Sequence, residues 1–379
     1  MNNTIQCLII AGESSGDLHG ASLVQEIQKL NQNIQFFGIG GDRMKAAGVS
    51  LIEHNDKMSV VGFSEVLPKY RHIRKIFNKT MQYAGTIKPA RAILIDYPGF
   101  NLRLSKALHK LNIPVTYFIP PQLWAWHEGR ISFLKNYVNQ ILCILPFEKK
   151  WYKERFVDVT FIGHPLLDQP SNIISKDEFV SKHQMKNDHS IIGFFPGSRQ
   201  NEVDRHLPLM IETVEMLKEK GYPVQAVVGK YQGVSFPNHL TKNVCVETSS
   251  PQSVLLHSDA AIIASGTTTL EAALFGTPSV IIYKLSAVSW FVVNMLAKIK
   301  YAGIPNLILE KEVMPELLQN NALPSKISDK IEEILFWDEK RLNIKSELGK
   351  IKSLCGQPGA TARGAKMIVE KIEGSPKNQ

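Results

Sequence analysis

Cysteine is scarce in this chain: four residues in 379, at positions 7, 143, 245 and 355. They are far apart and three lie in or beside apolar runs. That is the pattern of buried thiols rather than of a disulfide framework or a metal cluster, and it points to a reducing, cytoplasmic compartment. Long apolar runs are missing as well. The nearest, Leu285 to Ala297 between Lys284 and Lys298, is about a dozen residues, short of the roughly twenty that span a bilayer. The N-terminus has no basic region, its first Lys or Arg being Lys29, and CLIIAG flows straight into a turn, so it reads as a first strand and not as a signal peptide. Although the net charge is +9, no dense Lys/Arg tract is visible. Nucleic acid is therefore set aside as a partner, while phosphorylated substrates and acidic membrane surfaces fit. Repeats and low-complexity tracts are absent, which excludes solenoids. His164 and His206 have no His or acidic neighbour at ligand spacing, so no metal is expected, and each reads as packed or solvated.

The length suits two α/β domains, with apolar content for both cores. In the first half TIQCLIIAG, IQFFGIGG, ARAILID, PVTYFIP, QILCILP and VTFIGH alternate with helical stretches, as in a doubly wound parallel sheet. The polar stretch Asp168 to Ser190 breaks the alternation and is the candidate hinge. SIIGFFPG, PVQAVVG, NVCVET, AAIIASG and PSVIIY then repeat the scheme. The expectation is a first domain over 1–170, joined by C-terminal helices from 347–379, and a second over 171–346.

Two strand-to-helix corners carry chemistry: IIGFFPGSRQNEV (Ile191 to Val203) and AAIIASGTTTLEAALFGTP (Ala260 to Pro278). In the first, Gly197 permits a tight backbone, Ser198 can cap the helix, and Arg199 offers a fork matched to phosphate. An ordinary pairing of Arg199 with Glu202 or Asp204 is the other reading. In the second, Ser265, Gly266 and Thr267 open a helix N-terminus, and Glu271, one turn in, can accept both ribose hydroxyls or merely complement the helix dipole. Two helix N-termini, a guanidinium and a carboxylate are equipment for a nucleoside diphosphate, so a nucleotide-sugar transferase is the leading reading.

Further motifs run in order along the chain: AGESSGD (Ala11 to Asp17), GIGGDRM, GFSEVL, IDYPGFN (Ile95 to Asn101), LWAWHEGR (Leu123 to Arg130), LPFEKKWY, FIGHPLLD, PGSRQNEV, ASGTTTLEA and IPNLIL (Ile304 to Leu309). Together, nearly end to end, they resemble the lipid-A-disaccharide synthase family. The resemblance implies an inverting glycosyltransferase with the GT-B fold: α/β, two facing Rossmann-like doubly wound domains with the site in the interdomain cleft. It further implies transfer of 2,3-diacylglucosamine from UDP to the 6-hydroxyl of 2,3-diacylglucosamine 1-phosphate, giving a β-1,6 disaccharide for lipopolysaccharide and UDP. The setting it implies is the cytoplasmic face of the inner membrane of a Gram-negative cell, and members often form homodimers.

Inversion calls for one general base on the acceptor side and positive groups on the leaving diphosphate. Asp96 ends an apolar run, so a parallel strand delivers it to the carboxyl edge of the sheet, and the family's essential aspartate falls there; an Asp in that place also commonly caps the next loop. Many members carry a second Asp where Gly99 stands. Asn101 belongs to the same motif. Ser14, Ser15, Gly16 and Asp17 suit a wall of the acceptor pocket, or a plain helix N-cap at Ser14 or Ser15. Trp124 and Trp126 read as an apolar wall or as core, and Arg130 as a phosphate partner; members often carry a basic residue where His127 stands. Asn306 matches a position near the nucleotide, and in itself signals a turn. With Arg199 and two helix N-termini doing the work of a divalent cation, metal independence follows and no cofactor is expected.

Acylated substrates require contact with a bilayer. Val60, Val61, Phe63, Val66 and Leu67, followed by Arg71, Arg74, Lys75 and Lys79, have the composition of a monotopic patch. The same stretch also suits an amphipathic helix packed on its own domain, with Pro68 dividing it into two. The rival functions are another GT-B enzyme on a UDP-amino sugar, such as a peptidoglycan GlcNAc transferase or a UDP-GlcNAc epimerase, and a non-catalytic UDP-sugar binder.

Overall fold

The computed structural model describes residues 4–58, 66–125, 127–168, 173–231, 233–237, 244–286, 290 and 300–374, and over 66–70 the backbone alone. The chain divides into two compact units, Met1–Asp168 with Cys355–Gln379, and Gln169–Leu354.

In the first unit the order is β1 (Ile5–Ala11), α1 (Ser14–Leu30), β2 (Ile34–Gly40), α2 (Asp42–Ala46), β3 (Ser50–His54), α3 (Val66–Ile87), β4 (Arg91–Ile95), α4 (Pro98–Lys110), β5 (Val115–Phe118), α5 (Ile131–Tyr137), β6 (Gln140–Cys143), α6 (Glu148–Lys153) and β7 (Thr160–Phe161). The strands form one parallel sheet in the order β3-β2-β1-β4-β5-β6-β7. Its central strands are unbroken apolar runs because helices cover both faces, and β4 is buried along its whole length.

The second unit holds α7 (Lys176–Lys182), β8 (Ser190–Phe195), α8 (Gln200–Glu219), β9 (Val224–Gly229), β10 (Cys245–Glu247), α9 (Pro251–His257), β11 (Ala260–Ala264), α10 (Thr267–Phe275), β12 (Ser279–Tyr283), α11 (Ile304–Leu309), β13 (Glu316–Leu318), α12 (Pro324–Phe336) and α13 (Asp338–Leu354). Its sheet, again parallel, runs β10-β9-β8-β11-β12-β13. This is the dinucleotide-fold order, with the reversal beside the first strand of the unit.

The last helix, α14 (Ala360–Glu373), returns to the first unit and packs on α1. Asp168 accepts the amides of Gly359 (2.6 Å), Ala360 (3.1 Å) and Thr361 (2.7 Å), capping α14 at its start. Buried Arg91 reaches the Lys371 carbonyl at its other end (3.3 Å). The return begins at Cys355 rather than 347, because α13 packs against α10 and α12 and so belongs to the second unit. Nor does Pro68 divide α3, which runs unbroken from Val66 to Ile87. Cys7, Cys143 and Cys355 are buried free thiols and Cys245 is half-buried; burial pushes the Cys7 thiol up to about 12.

Candidate active site

Open parallel sheets bind ligands at the carboxyl edge where strand order reverses. In the first unit the reversal falls between β1 and β4, and in the second between β8 and β11. The loops leaving those four strands are AGESSGD, IDYPGFN, PGSR and SGTTT.

Ala11 on β1 pairs with Ile95 on β4, so Gly12–Glu13 and Asp96–Tyr97 leave the sheet side by side. Only glycine fits at position 12, since a Cβ there would lie 2.4 Å from the Tyr97 ring. Asp96 (φ 42°) and Tyr97 (φ 47°) are both left-handed, a conformation non-glycine residues hold only when their surroundings impose it. Those surroundings are explicit. The Asp96 carbonyl accepts from Tyr117 Oη (2.6 Å) and Asn101 Nδ2 (2.8 Å), the Asp96 amide donates to Ile119 O (3.1 Å), and Tyr97 Oη donates to Met58 O (2.8 Å). The half-buried Asp96 carboxyl is pushed up to about 6, first by burial and then by the negative charge of Glu13, against a lowering hydrogen bond from the Tyr97 amide.

Several neighbours have structural duties. Asn101, expected at the ligand, is fully buried and donates to the Ile95 and Asp96 carbonyls, so it holds the elbow. Asp17, expected on the pocket wall, is also buried; its oxygens accept the amides of Gly41 (2.6 Å), Met44 (3.0 Å) and Arg43 (3.2 Å) and cap α2. Glu13, not Ser14 or Ser15, takes the N-cap position of α1, which leaves both serines exposed in its first turn, while Gly16 packs under Ala11. Trp124 is core: its indole donates to Glu148 Oε1 (3.1 Å) and its ring meets Phe147 edge-on. Glu148, buried, also accepts the Ile144 and Leu145 amides (3.2 and 3.0 Å), and burial raises it to about 7. Arg130 is half-buried at the end of a short turn before α5. Trp126 lies outside the described residues. So do Val60, Val61 and Phe63 and the side chains of Val66 and Leu67, whereas Arg71, Arg74 and Lys75 are exposed on α3.

In the second unit Gly197 takes φ 130°, and a Cβ there would lie 2.5 Å from Glu202. The N-cap of α8 is Arg199, not Ser198. Glu202, three residues on, folds back so that Oε2 accepts the Ser198 amide (3.1 Å) and the Arg199 amide (3.3 Å), while Oε1 lies 3.6 Å from Arg199 Nη1 and 3.3 Å from Tyr283 Oη. Two amides, a guanidinium and a phenol thus surround one carboxylate, a set of donors suited to phosphate oxygens. Behind it His206 bridges the Pro196 carbonyl (2.9 Å) and the Lys284 amide (2.9 Å), as a packed, neutral imidazole whose pKa burial lowers.

At the second corner Gly266 (φ 150°) is the N-cap of α10 and is exposed with Thr267. The Ser265 hydroxyl donates to Ala302 O (2.9 Å) and so serves the fold. Glu271 Oε2 accepts from Tyr231 Oη (2.8 Å), and burial raises its pKa. Asn306, expected near the nucleotide, is fully buried with every capacity in use: Nδ2 donates to Met314 O and Glu316 Oε1 (2.7 Å each), and Oδ1 accepts the Val313 and Met314 amides (2.8 and 2.9 Å). Three residues escaped the sequence reading as site members. Glu13 stood inside a quoted motif and Glu202 at capping-box spacing; Tyr231, a lone aromatic after a strand, gave no signal.

The family profile described as Lipid-A-disaccharide synthetase matches residues 7–368. The lipid-A-disaccharide synthase of Syntrophus aciditrophicus is 39% identical over 98% of this chain and 99% of its own length, and that of Solibacter usitatus 36% identical over 97% of each. Among solved structures, the calicheamicin glycosyltransferase CalG4 superposes with a TM-score of 0.63 at 15% identity, covering 99% of this chain and 100% of its own. The UDP-GlcNAc 2-epimerase of Neisseria meningitidis superposes with 0.65 at 12%, covering 97% and 100%. Those two establish the GT-B fold alone, since glycosyltransferase and epimerase share it, and the sequence relatives decide between them. The chain belongs to the lipid-A-disaccharide synthase family, the glycosyltransferases of lipid A biosynthesis.

Proposed function

We propose that the chain condenses UDP-2,3-diacylglucosamine with 2,3-diacylglucosamine 1-phosphate, with Asp96 as general base. The acceptor 6-hydroxyl gives its proton to Asp96, its oxygen bonds to the donor's anomeric carbon, the bond from that carbon to the diphosphate breaks, and UDP departs with inversion. The observation that carries this reading is the Asp96 elbow. A carboxylate is held on a strained left-handed turn at the switch point, and its pKa of about 6 leaves it ionised yet basic near neutral pH. On the donor, Arg199 and the Ser198 and Arg199 amides would take the diphosphate once Glu202 swings aside, and Glu271 the ribose diol. These groups supply positive charge without a divalent cation, so activity should survive dialysis against a chelator.

The test is UDP release with and without the monosaccharide phosphate acceptor, with the product weighed by mass spectrometry. Acceptor-dependent release and a disaccharide phosphate are expected; release without acceptor would mean an epimerase or hydrolase. We also place the protein at the inner-membrane surface of the cytoplasm through the stretch from Val60 to Lys79. No helix among the described residues is long and apolar enough to cross a membrane, and the basic residues of α3 suit anionic headgroups. Val61→Ser with Phe63→Ser should release the protein from anionic vesicles, and unchanged cosedimentation would remove the idea.

A further inference from the structure

The Glu271 carboxylate is held by hydrogen bonds from the side chains of Tyr231, Gln252 and Thr268. Tyr231, just beyond β9, donates its phenol to Oε2 at 2.8 Å. The phenol in turn accepts from Thr268 Oγ1 (3.3 Å), one residue into α10, which commits its single hydrogen to Glu271. The Tyr231 ring stands 6.3 Å, centroid to centroid, from Phe195, the last residue of β8. Phe195 is fixed in its turn by the end of β9, where a Cβ on Gly229 would lie 2.4 Å from its ring. Three strand or helix ends therefore converge on one glutamate.

We propose that Tyr231 is a positioning residue for nucleotide recognition, fixing the Glu271 carboxylate so that it meets the ribose diol of a uridine nucleotide in one orientation. This rests on the reading of Glu271 as the ribose acceptor. A long glutamate side chain has rotamers to lose on binding, and a preformed hydrogen bond spends that entropy before the ligand arrives. The Tyr231 phenol is held well above its ordinary pKa, by burial and then by Glu271, so it stays a donor across the working range. A merely structural staple between the β9 loop and α10 would alter thermal stability and leave sugar discrimination untouched.

The experiment is calorimetric binding of UDP and of 2′-deoxy-UDP to the full chain, its Tyr231→Phe variant and its Glu271→Gln variant, with melting temperatures beside them. The unaltered chain should prefer UDP by about tenfold, the worth of a hydrogen bond to a charged group. E271Q should abolish the preference, and Y231F should weaken UDP binding and shrink the ratio by about threefold or more. If Y231F keeps the full ratio while E271Q loses it, Tyr231 has no such role. If E271Q also keeps it, the ribose reading of Glu271 falls and the proposal falls with it. Should Y231F melt below the assay temperature, Phe195→Leu, which removes the ring beside Tyr231, reads the same ratio: shrinkage supports the positioning role and an unchanged ratio overturns it.

Discussion

Replacing Glu13 by Gln should make the enzyme more active in acid. Asp96 must be ionised to take a proton, and its carboxyl is raised from 3.8 to about 6. Burial is the larger cause and Glu13, across the β1–β4 pairing, the second. The other groups facing it are Tyr97, Tyr117 on β5, and Glu148 at the start of α6, whose own rise to about 7 keeps it largely neutral on the acid limb at pH 5.5. Gln keeps the shape at position 13 and removes the charge, which should lower the Asp96 pKa by about half a unit to one unit and leave the burial contribution in place. At pH 5.5 a base with a pKa of 6 is about a quarter ionised, and one near 5.3 about three-fifths, so kcat/KM should rise roughly 2.5-fold there while converging with the unaltered enzyme above pH 7.5. The assay is kcat/KM against pH from 4.5 to 8.5 with acceptor varied. An acid limb that stays put, or moves to higher pH, would refute the coupling.

Two further substitutions separate ligand contact from scaffold. Arg199→Lys keeps the charge but not the fork, and its donor KM should rise about tenfold or more, with a larger rise for Arg199→Ala; equal KM values for R199K and the unaltered chain would remove the bidentate phosphate role. Asn306→Ala forfeits four hydrogen bonds that tie α11 to Val313, Met314 and Glu316 and should cost about 2–4 kcal/mol in urea unfolding. A stable variant with weakened UDP binding would instead return Asn306 to the nucleotide.

Much of the fold was legible because the central strands are continuous apolar runs ending in turn residues. Two strands were missed, β3 and β13. Each lies at a sheet edge, and neither SLIEH nor ELL makes an apolar run, because an edge strand is covered on fewer sides. The position of Asp96 was legible for the same reason as the strands, since a parallel run must deliver its last residue to the carboxyl edge. What Asp17, Asn101 and Asn306 do was not, because each is spent on amides or carbonyls brought to it by tertiary packing: Asp17 on α2 across 24 to 27 positions of sequence, and Asn306 on β13. Polar residues in a motif divide between those that meet the ligand and those that hold the loop, and spacing alone does not tell them apart. The elbow itself, with left-handed Asp96 and Tyr97, carried no glycine to announce it.

The most direct measurement is turnover by Asp96→Asn beside its UDP affinity and its melting temperature. The folded pKa of Asp96 lies above its ordinary value, so ionisation is penalised in the fold: the penalty is absent below pH 3.8, grows through the window up to about 6, and is complete above it. An amide escapes that penalty, so at pH 8 D96N should melt no lower than the unaltered chain and bind UDP as tightly. Its kcat should fall by about 10²–10⁴, the contribution of a general base. A folded D96N that turns over within a few-fold of the unaltered enzyme would contradict the assignment of the base.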